Sequence, residues 1–331
     1  LHMKGKILVT GGAGYIGSFM VRALKKAGFT PVIADNLSSG HKEAVKDFKF
    51  YQIDIAEEPN KLEEIFKKEK FLGVVNMASY IQMGESFRNP AKYFDNNLRI
   101  AINVLNMMAK YNVPYFIFSS SAGVYGNPER TPIREDDRKN PLNPYGETKY
   151  QIERMLQWYD TAYGMKFVAL RYFNAAGGAM DGSIGEDHPD ESHLIPIALK
   201  CAMEDREFTI FGKDYKTKDG TCERDYVHVL DLSEAHVLAL KYLIKGGKSE
   251  YVNCAVGKGY SNNQIVKEIE KVLGKKMAVK YGERRAGDAD KLYAANSKIK
   301  KILGWKPKYG LNEIISSAHK WHSMHPKGYL K

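Results

Sequence analysis

Short apolar runs alternate with longer amphipathic segments along the chain. Each apolar run ends in glycine or polar residues, a pattern that predicts buried strands. We predict strands at 6–10, 31–34, 48–53, 73–78, 115–118 and 167–171. We predict helices at 19–27, 60–69, 93–110, 144–159, 231–245, 262–273 and 311–324. Strands and helices that alternate at this spacing indicate an α/β fold with a doubly wound parallel sheet.

The first predicted strand leads directly into a glycine-rich turn. Gly11, Gly14 and Gly17 form the pattern G-x-x-G-x-x-G between this strand and the first helix. The first glycine allows a tight turn, the second lets a pyrophosphate approach the backbone, and the third lets helix and strand pack closely. Asp35 follows about 20 residues later, where an acid binds the ribose of NAD and repels the extra phosphate of NADP. The pattern predicts a Rossmann domain that binds NAD.

A second candidate site combines a serine run with a tyrosine and a lysine. The fifth predicted strand ends in Ser119–Ser121, and we expect Ser121 to face the crevice beyond the strand ends. Tyr145 and Lys149 are four residues apart on a predicted helix and therefore share one face. An ammonium beside a phenol favours the phenolate and lowers its pKa from about 10. Such pairs are common on helices, but beside the glycine loop this one predicts proton transfer by Tyr145, helped by Ser121 and Lys149.

The domain organisation follows from a change in composition. The segment 177–192 is rich in Gly, Asp and Glu and marks a boundary toward a smaller lobe. We predict an NAD-binding domain over 3–173, to which 225–255 returns, and an α/β substrate lobe formed by 174–224 and 256–329.

The composition argues against several classes of protein, namely nucleic-acid-binding, membrane-spanning and secreted proteins. The chain has 331 residues and a formal charge of +11, but its lysines are scattered without interleaved aromatic residues, so we predict no nucleic-acid partner. No apolar run reaches the roughly 18 residues of a membrane span, and there is no signal-peptide pattern. Three widely spaced cysteines are typical of reduced thiols, so we predict a cytoplasmic protein without a metal site.

Ten short segments together resemble a known family. They are TGGAGYIG at 10–17, GES at 84–86, YFDNN at 93–97, SSSAGVYG at 119–126, NPYGETK at 143–149, RYFNAAG at 171–177, TKDGT at 217–221, RDY at 224–226, RRAGD at 284–288 and LGW at 303–305. With them the chain resembles the extended short-chain dehydrogenase/reductases and, within these, the enzymes that epimerise UDP-sugars. The resemblance implies NAD-dependent epimerisation at C4 of a UDP-hexose through a transient 4-keto sugar, with tightly bound NAD that is regenerated in each cycle.

The resemblance also implies a set of binding residues. It places the dinucleotide contacts at Gly11, Gly14, Tyr15, Ile16, Gly17, Asp35, Asn36, Leu37, Ser38, Ser39, Gly40, Asp54, Ile55, Met77, Ala78, Ser79, Tyr80, Ile81, Asn96, Tyr145, Lys149 and Phe173. It places the UDP-sugar contacts at Ser121, Asn174, His193, Leu194, Thr209, Ile210, Phe211, Arg224, Tyr226, Arg285, Asp288 and Leu292. A homodimer is implied through helices such as 93–110 and 148–160.

Some positions depart from the family pattern. Gly123 replaces a threonine that often follows Ser-Ala, Ile81 replaces a lysine of some members, and His193 stands where asparagine is common. Leu292 occupies a gate position that is tyrosine in some members, so we expect the pocket to admit a 2-acetamido sugar.

The same residues bear on three alternative functions. A 4,6-dehydratase has an Asp-Glu pair after the residue that matches Ser121, and this chain has Ala122 and Gly123 instead. A UDP-uronate 4-epimerase stays open, because a basic residue near C6 can come from several loops. A non-catalytic NAD sensor is disfavoured, since such proteins usually lack the tyrosine or the lysine.

Overall fold

The computed structural model describes residues 5–285 and 288–329, so two residues of the RRAGD segment, 286 and 287, lie outside the described part. Its strands are β1 (Lys6–Thr10), β2 (Thr30–Asp35), β3 (Lys49–Gln52), β4 (Gly73–Asn76), β5 (Tyr115–Ser121), β6 (Lys166–Tyr172), β7 (Asn174–Ala176), β8 (Phe208–Phe211), β9 (Glu223–Arg224), β10 (Tyr226–His228), β11 (Glu250–Cys254), β12 (Tyr260–Ser261), β13 (Val279–Gly282) and β14 (Lys291–Leu292). Its α-helices are α1 (Tyr15–Lys26), α2 (Pro59–Glu69), α3 (Met83–Arg88), α4 (Pro90–Lys110), α5 (Pro144–Tyr163), α6 (Leu194–Met203), α7 (Val229–Ile244), α8 (Asn262–Leu273), α9 (Ser297–Leu303) and α10 (Leu311–Met324).

Within the described residues, a seven-stranded sheet forms the larger part of the fold. Its order is β11-β6-β5-β4-β1-β2-β3, and each neighbouring pair is parallel. Alternate residues of β1 belong to different cores: Ile7 and Val9 pack with α1 and α7, whereas Leu8 packs with α2, α4 and α5. Helices therefore cover both faces of the sheet. The predicted doubly wound α/β fold is confirmed.

Several boundaries differ from the prediction for local reasons. Helix α1 begins four residues early, at Tyr15, because Gly14 adopts an extended N-cap conformation and the helix starts inside the glycine turn. Helix α5 continues to Tyr163, where Gly164 at φ 69° ends it in the left-handed conformation. Strand β5 includes the serine run, because Ser119 and Ser120 pair with β6.

A buried ion pair fixes α5 against the sheet. The guanidinium of Arg171 in β6 donates to both carboxylate oxygens of Glu153 in α5, at 2.8 and 2.7 Å. Ser120 of β5 donates to the same carboxylate at 2.6 Å. Both side chains of the pair are at most 3% exposed. This network sets the distance of α5, and of the residues at its N-terminus, from the ends of β5 and β6.

The remaining elements build a second core beside the carboxyl ends of the sheet. Apolar residues of α6, β8, α8 and α10 pack together there, with Leu199, Ile210, Ile265 and Ile315 fully or almost fully buried. Strands β8 and β13 pair in parallel in this region. In the described part of the chain, no helix has both the length and the apolar character that a membrane span requires.

Candidate active site

A cavity of about 730 Å³ opens between the strand ends and the second core. Nearly all residues that the family resemblance assigned to the dinucleotide or the UDP-sugar line this cavity. The cofactor set is Gly11, Gly14, Tyr15, Ile16, Gly17, Asp35, Asn36, Ser38, Ser39, Asp54, Ile55, Met77, Ala78, Ser79, Tyr80, Ile81, Asn96, Tyr145, Lys149 and Phe173. The substrate set is Ser121, Asn174, His193, Leu194, Thr209, Ile210, Phe211, Arg224, Tyr226, Arg285 and Asp288.

Three predicted residues do not appear among the described lining residues. Leu37 and Gly40 belong to the loop after β2, where the backbone of Leu37 donates to Asp35 and the backbone of Gly40 packs on Ala13. Leu292 packs into a small apolar cluster that also contains Phe173. The predicted gate residue is therefore next to a lining residue, Phe173, and is not itself part of the described lining.

The glycine turn fits a closely approaching ligand. A Cβ atom at Gly17 would lie 2.2 Å from the carbonyl oxygen of Gly11 and 2.7 Å from Cα of Gly12, so only glycine allows this packing. Gly11 has φ 66° and cannot take a side chain without strain. The turn leaves the N-terminus of α1 facing the cavity, where backbone N–H groups favour phosphate.

Asp35 is held in a fixed orientation at the end of β2. Its carboxylate accepts the backbone N–H of Ala13 at 2.9 Å and that of Leu37 at 2.8 Å. Burial raises the pKa of Asp35, while these two hydrogen bonds lower it. The acid thus links the glycine turn to the loop after β2.

Tyr145, Ser121 and Lys149 all line the cavity. Asn143 caps α5 by accepting the backbone N–H of Gly146 at 2.8 Å, so Tyr145 lies in the first turn. The ammonium of Lys149 donates to Ser79 Oγ at 3.0 Å and to the carbonyl of Ser119 at 2.9 Å. Its Nζ lies 5.6 Å from the ring centroid of Tyr145.

The pKa values of Tyr145 and Lys149 differ from those expected from the sequence. Burial raises the pKa of the Tyr145 phenol, and a hydrogen bond with Ser121 opposes this only in part. Burial lowers the pKa of Lys149 to about 7, because its ammonium has neutral oxygen partners only. The expected lowering of the phenol pKa by Lys149 is therefore not met by the protein's own groups.

Two arginines also line the cavity. Arg224 donates through Nη1 to the carbonyls of Glu223 and Ala289, at 2.9 and 2.8 Å, and its Nη2 lies 3.3 Å from Asp288. Arg285 lies with its guanidinium carbon 4.2 Å from the ring centroid of Phe211. Cations in these positions suit an anionic diphosphate.

A match over most of the chain identifies its family. Residues 7–255 match the family described as "NAD dependent epimerase/dehydratase family". The chain belongs to this family.

Similar proteins of the epimerase/dehydratase family match nearly the whole chain. A UDP-glucose 4-epimerase of Lactobacillus helveticus is 50% identical over 327 residues, which cover 98% of this chain and 99% of the relative. A crystal structure of a UDP-glucose 4-epimerase is 42% identical with a TM-score of 0.95, covering 98% and 100% of the two chains. A Bifidobacterium longum UDP-glucose 4-epimerase, crystallised with NAD+ and UDP, is 33% identical with a TM-score of 0.92, covering 98% and 100%.

Several residues that line the cavity were not predicted from the sequence. Glu186 and His188 line it next to His193, and Cys201, Glu207 and Asn262 line it farther along. Glu186 and His188 belong to a loop without periodicity, so no helix or strand pattern pointed to them. The spacing Glu-x-His-x-x-Glu-x-His over 186–193 was the available signal.

Proposed function

We propose that this chain catalyses NAD-dependent epimerisation at C4 of a UDP-hexose and interconverts UDP-glucose and UDP-galactose through a transient 4-keto sugar. The observation that carries the proposal is a single cavity that is lined by the glycine turn, by Ser121, Tyr145 and Lys149, and by two arginines. The relatives' names and the bound NAD+ and UDP of the Bifidobacterium structure support the same reaction.

The residues of the glycine turn fit NAD. A side chain at Gly17 would fill the space that brings α1 close to the turn, and the fixed carboxylate of Asp35 suits the ribose hydroxyls of NAD. NAD, when bound, supplies the hydride acceptor for C4 and a positive charge beside the phenol.

The protein's own groups move the proton and hold the substrate. Tyr145 accepts the proton of the sugar 4-OH, directly or through the hydroxyl of Ser121, and returns it after the sugar has turned. In its protonated form, Lys149 adds a positive charge near the phenol, and this charge favours the phenolate. Arg224 and Arg285 anchor the UDP, so that the sugar can turn its other face without leaving the cavity.

We also propose a domain division, a homodimer and a cytoplasmic location. The domain division is 3–173 with 225–255 against 174–224 with 256–329, which is supported by the pairing of β11 with β6 in the large sheet. A homodimer is supported by exposed apolar side chains on α5, where Trp158 is 70% and Tyr163 64% exposed. A cytoplasmic location is supported by the three free cysteines, Cys201, Cys222 and Cys254.

The test is turnover by the purified protein without added NAD. UDP-galactose, UDP-N-acetylgalactosamine and UDP-galacturonate are incubated separately and their products identified. We expect conversion of UDP-galactose and of UDP-N-acetylgalactosamine. Failure on the acetamido sugar would reject the expectation drawn from Leu292. Tyr145→Phe should keep bound NAD and UDP affinity but lose nearly all turnover, and near-normal turnover in that variant would reject the role of the phenol.

A further inference from the structure

Four side chains of one loop converge beside the cavity. They are Glu186, His188, Glu191 and His193, here called the 186–193 cluster. One ligand atom from each, a carboxylate oxygen or an imidazole nitrogen, lies within 4.8 Å of all the others. The loop ends where α6 begins, and Glu186, His188 and His193 also line the cavity.

The distances within the cluster point to a common centre. Nδ1 of His188 lies 3.1 Å from a carboxylate oxygen of Glu191 and 3.6 Å from one of Glu186. Nδ1 of His193 contacts Glu186 and lies 3.7 Å from Glu191. A single N–H points in one direction, yet each nitrogen faces both carboxylates. Ligands bound tetrahedrally at about 2.0–2.2 Å from one ion are themselves about 3.3–3.6 Å apart, close to this spacing.

Charge and burial support a cation at that centre. The side chain of Glu186 is 5% exposed and that of Glu191 is 21% exposed. In the described residues, the ion pairs of both carboxylates involve only the imidazoles of His188 and His193. A buried carboxylate needs a compensating cation. One divalent ion neutralises two carboxylates and leaves both imidazoles neutral, which is the form that binds metals.

We propose that the 186–193 cluster binds one zinc ion. Two imidazole nitrogens and two carboxylate oxygens suit zinc, whereas magnesium and calcium prefer oxygen ligands alone. All four protein ligands come from the loop itself, as in a closed structural site. This inference replaces the sequence-based expectation that no metal is bound.

The ion would act by fixing the loop that borders the UDP-sugar end of the cavity. His193 and Leu194 follow directly from the cluster, and both line that end. A fixed loop presents these residues in one conformation, which lowers the entropy that substrate binding must remove. This consequence rests on the proposed function, whereas the metal site itself does not.

The first experiment measures zinc in the full-length protein as purified without chelators. Elemental analysis by mass spectrometry should find about one zinc ion per chain, the stoichiometry of a single four-ligand site. After dialysis against EDTA, added ZnCl₂ should bind with the same stoichiometry and raise the thermal midpoint.

Two ligand variants and one control make the assignment specific. His188→Gln and Glu191→Gln should each weaken zinc binding at least ~100-fold, because even residues behind the ligands contribute 10–100-fold. His319→Gln, on α10, changes a histidine that takes part in none of the cluster's described ion pairs and should leave zinc binding unchanged. Circular dichroism shows whether each variant is folded.

The outcomes separate this proposal from the proposed function. A protein that is active but binds no zinc at micromolar ZnCl₂ overturns the site. The two histidines would then be protonated and form ion pairs with the two carboxylates. Zinc binding that survives both ligand variants also overturns it. Stoichiometric zinc in a protein that does not epimerise UDP-sugars supports the site and rejects the proposed reaction.

Discussion

Nζ of Lys149 lies 5.6 Å from the ring centroid of Tyr145, while it donates its hydrogen bonds to Ser79 and to the carbonyl of Ser119. The lysine is thus not hydrogen-bonded to the phenol that it is proposed to assist. Its influence on Tyr145 is electrostatic, through space, and the two serine contacts hold the charge in place.

Lys149→Met should separate that electrostatic role from substrate binding. Removal of the cation makes the phenolate less favourable, so turnover should fall by about 10²–10⁴, and the pH at which it becomes half-maximal should rise. The measurement is kcat as a function of pH, together with the NAD content of the purified variant. Lys67→Met, a change in a surface pair on α2, serves as the control. An unshifted pH profile with normal kcat would mean that the ammonium does not act on the phenol.

Gly17→Ala should abolish NAD retention. The new Cβ would lie 2.2 Å from a backbone oxygen and 2.7 Å from a backbone carbon, and neither atom can move without opening the turn. We expect purified protein without NAD and a lowered thermal midpoint. Gly310→Ala is the matched control, because a Cβ there would meet only the side-chain carboxylate of Glu313 at 3.3 Å. Normal NAD content in Gly17→Ala would show that the turn has room that the structure does not indicate.

The parts of the site that the sequence predicted are those that local rules determine. The glycine turn follows from steric limits within a few residues, and the shared face of Tyr145 and Lys149 follows from the helical repeat. The cavity at the carboxyl ends of the strands follows from the topology of parallel sheets. The glycine turn and the shared helix face need no knowledge of how distant segments meet.

The parts that were missed depend on tertiary contacts. Leu292 lies in β14, a strand of two residues, which is too short to show a periodic pattern. Its pairing with β9 brings Leu292 into the cluster with Phe173, and Leu292 is not among the residues that line the cavity. The pKa of Tyr145 depends on burial by several elements, so the spacing to Lys149 gave only one of its determinants.

Arg224→Met should weaken substrate binding without loss of NAD. A charge-assisted contact contributes about 1.5–3 kcal/mol, so KM for UDP-galactose should rise roughly 10- to 100-fold. Inhibition by UDP, measured alongside, should weaken by a similar factor, because the arginine is proposed to contact the nucleotide part. Arg206→Met removes an exposed arginine that pairs with Glu204 and should change neither constant. A change in kcat alone would contradict the anchoring role.

Trp158→Glu should dissociate the proposed homodimer. Trp158 and Tyr163 on α5 are mostly exposed, and Ile102 on the adjacent α4 is 40% exposed. A carboxylate in the middle of a surface that packs against its copy would be desolvated without a partner, which is strongly unfavourable. Sedimentation velocity should show a dimer for the parent protein and a monomer for the variant. Tyr281→Glu, at a partly exposed position on β13, controls for the added charge, and a monomeric parent protein would reject the assembly.

His236 should make the protein labile to acid. Its imidazole is fully buried in α7, with Nδ1 2.8 Å from the carbonyl of Leu232 and Nε2 3.1 Å from the hydroxyl of Ser119. Burial lowers the pKa of His236 to about 4. Between pH 6.5 and 4 the unfolded chain therefore binds a proton that the folded chain does not, and the free energy of unfolding falls as the pH falls.

For this one residue the loss between pH 7 and pH 5 amounts to about 2 kcal/mol. His236→Gln removes the titrating group, so the decrease in unfolding free energy over this range should shrink by that amount. Urea denaturation at the two pH values measures the difference, and an NMR titration of the imidazole checks the pKa directly. His228, whose pKa burial also lowers to about 4, should still contribute its own decrease in the variant. Equal pH dependence in the variant and the parent protein would place the acid-sensitive group elsewhere.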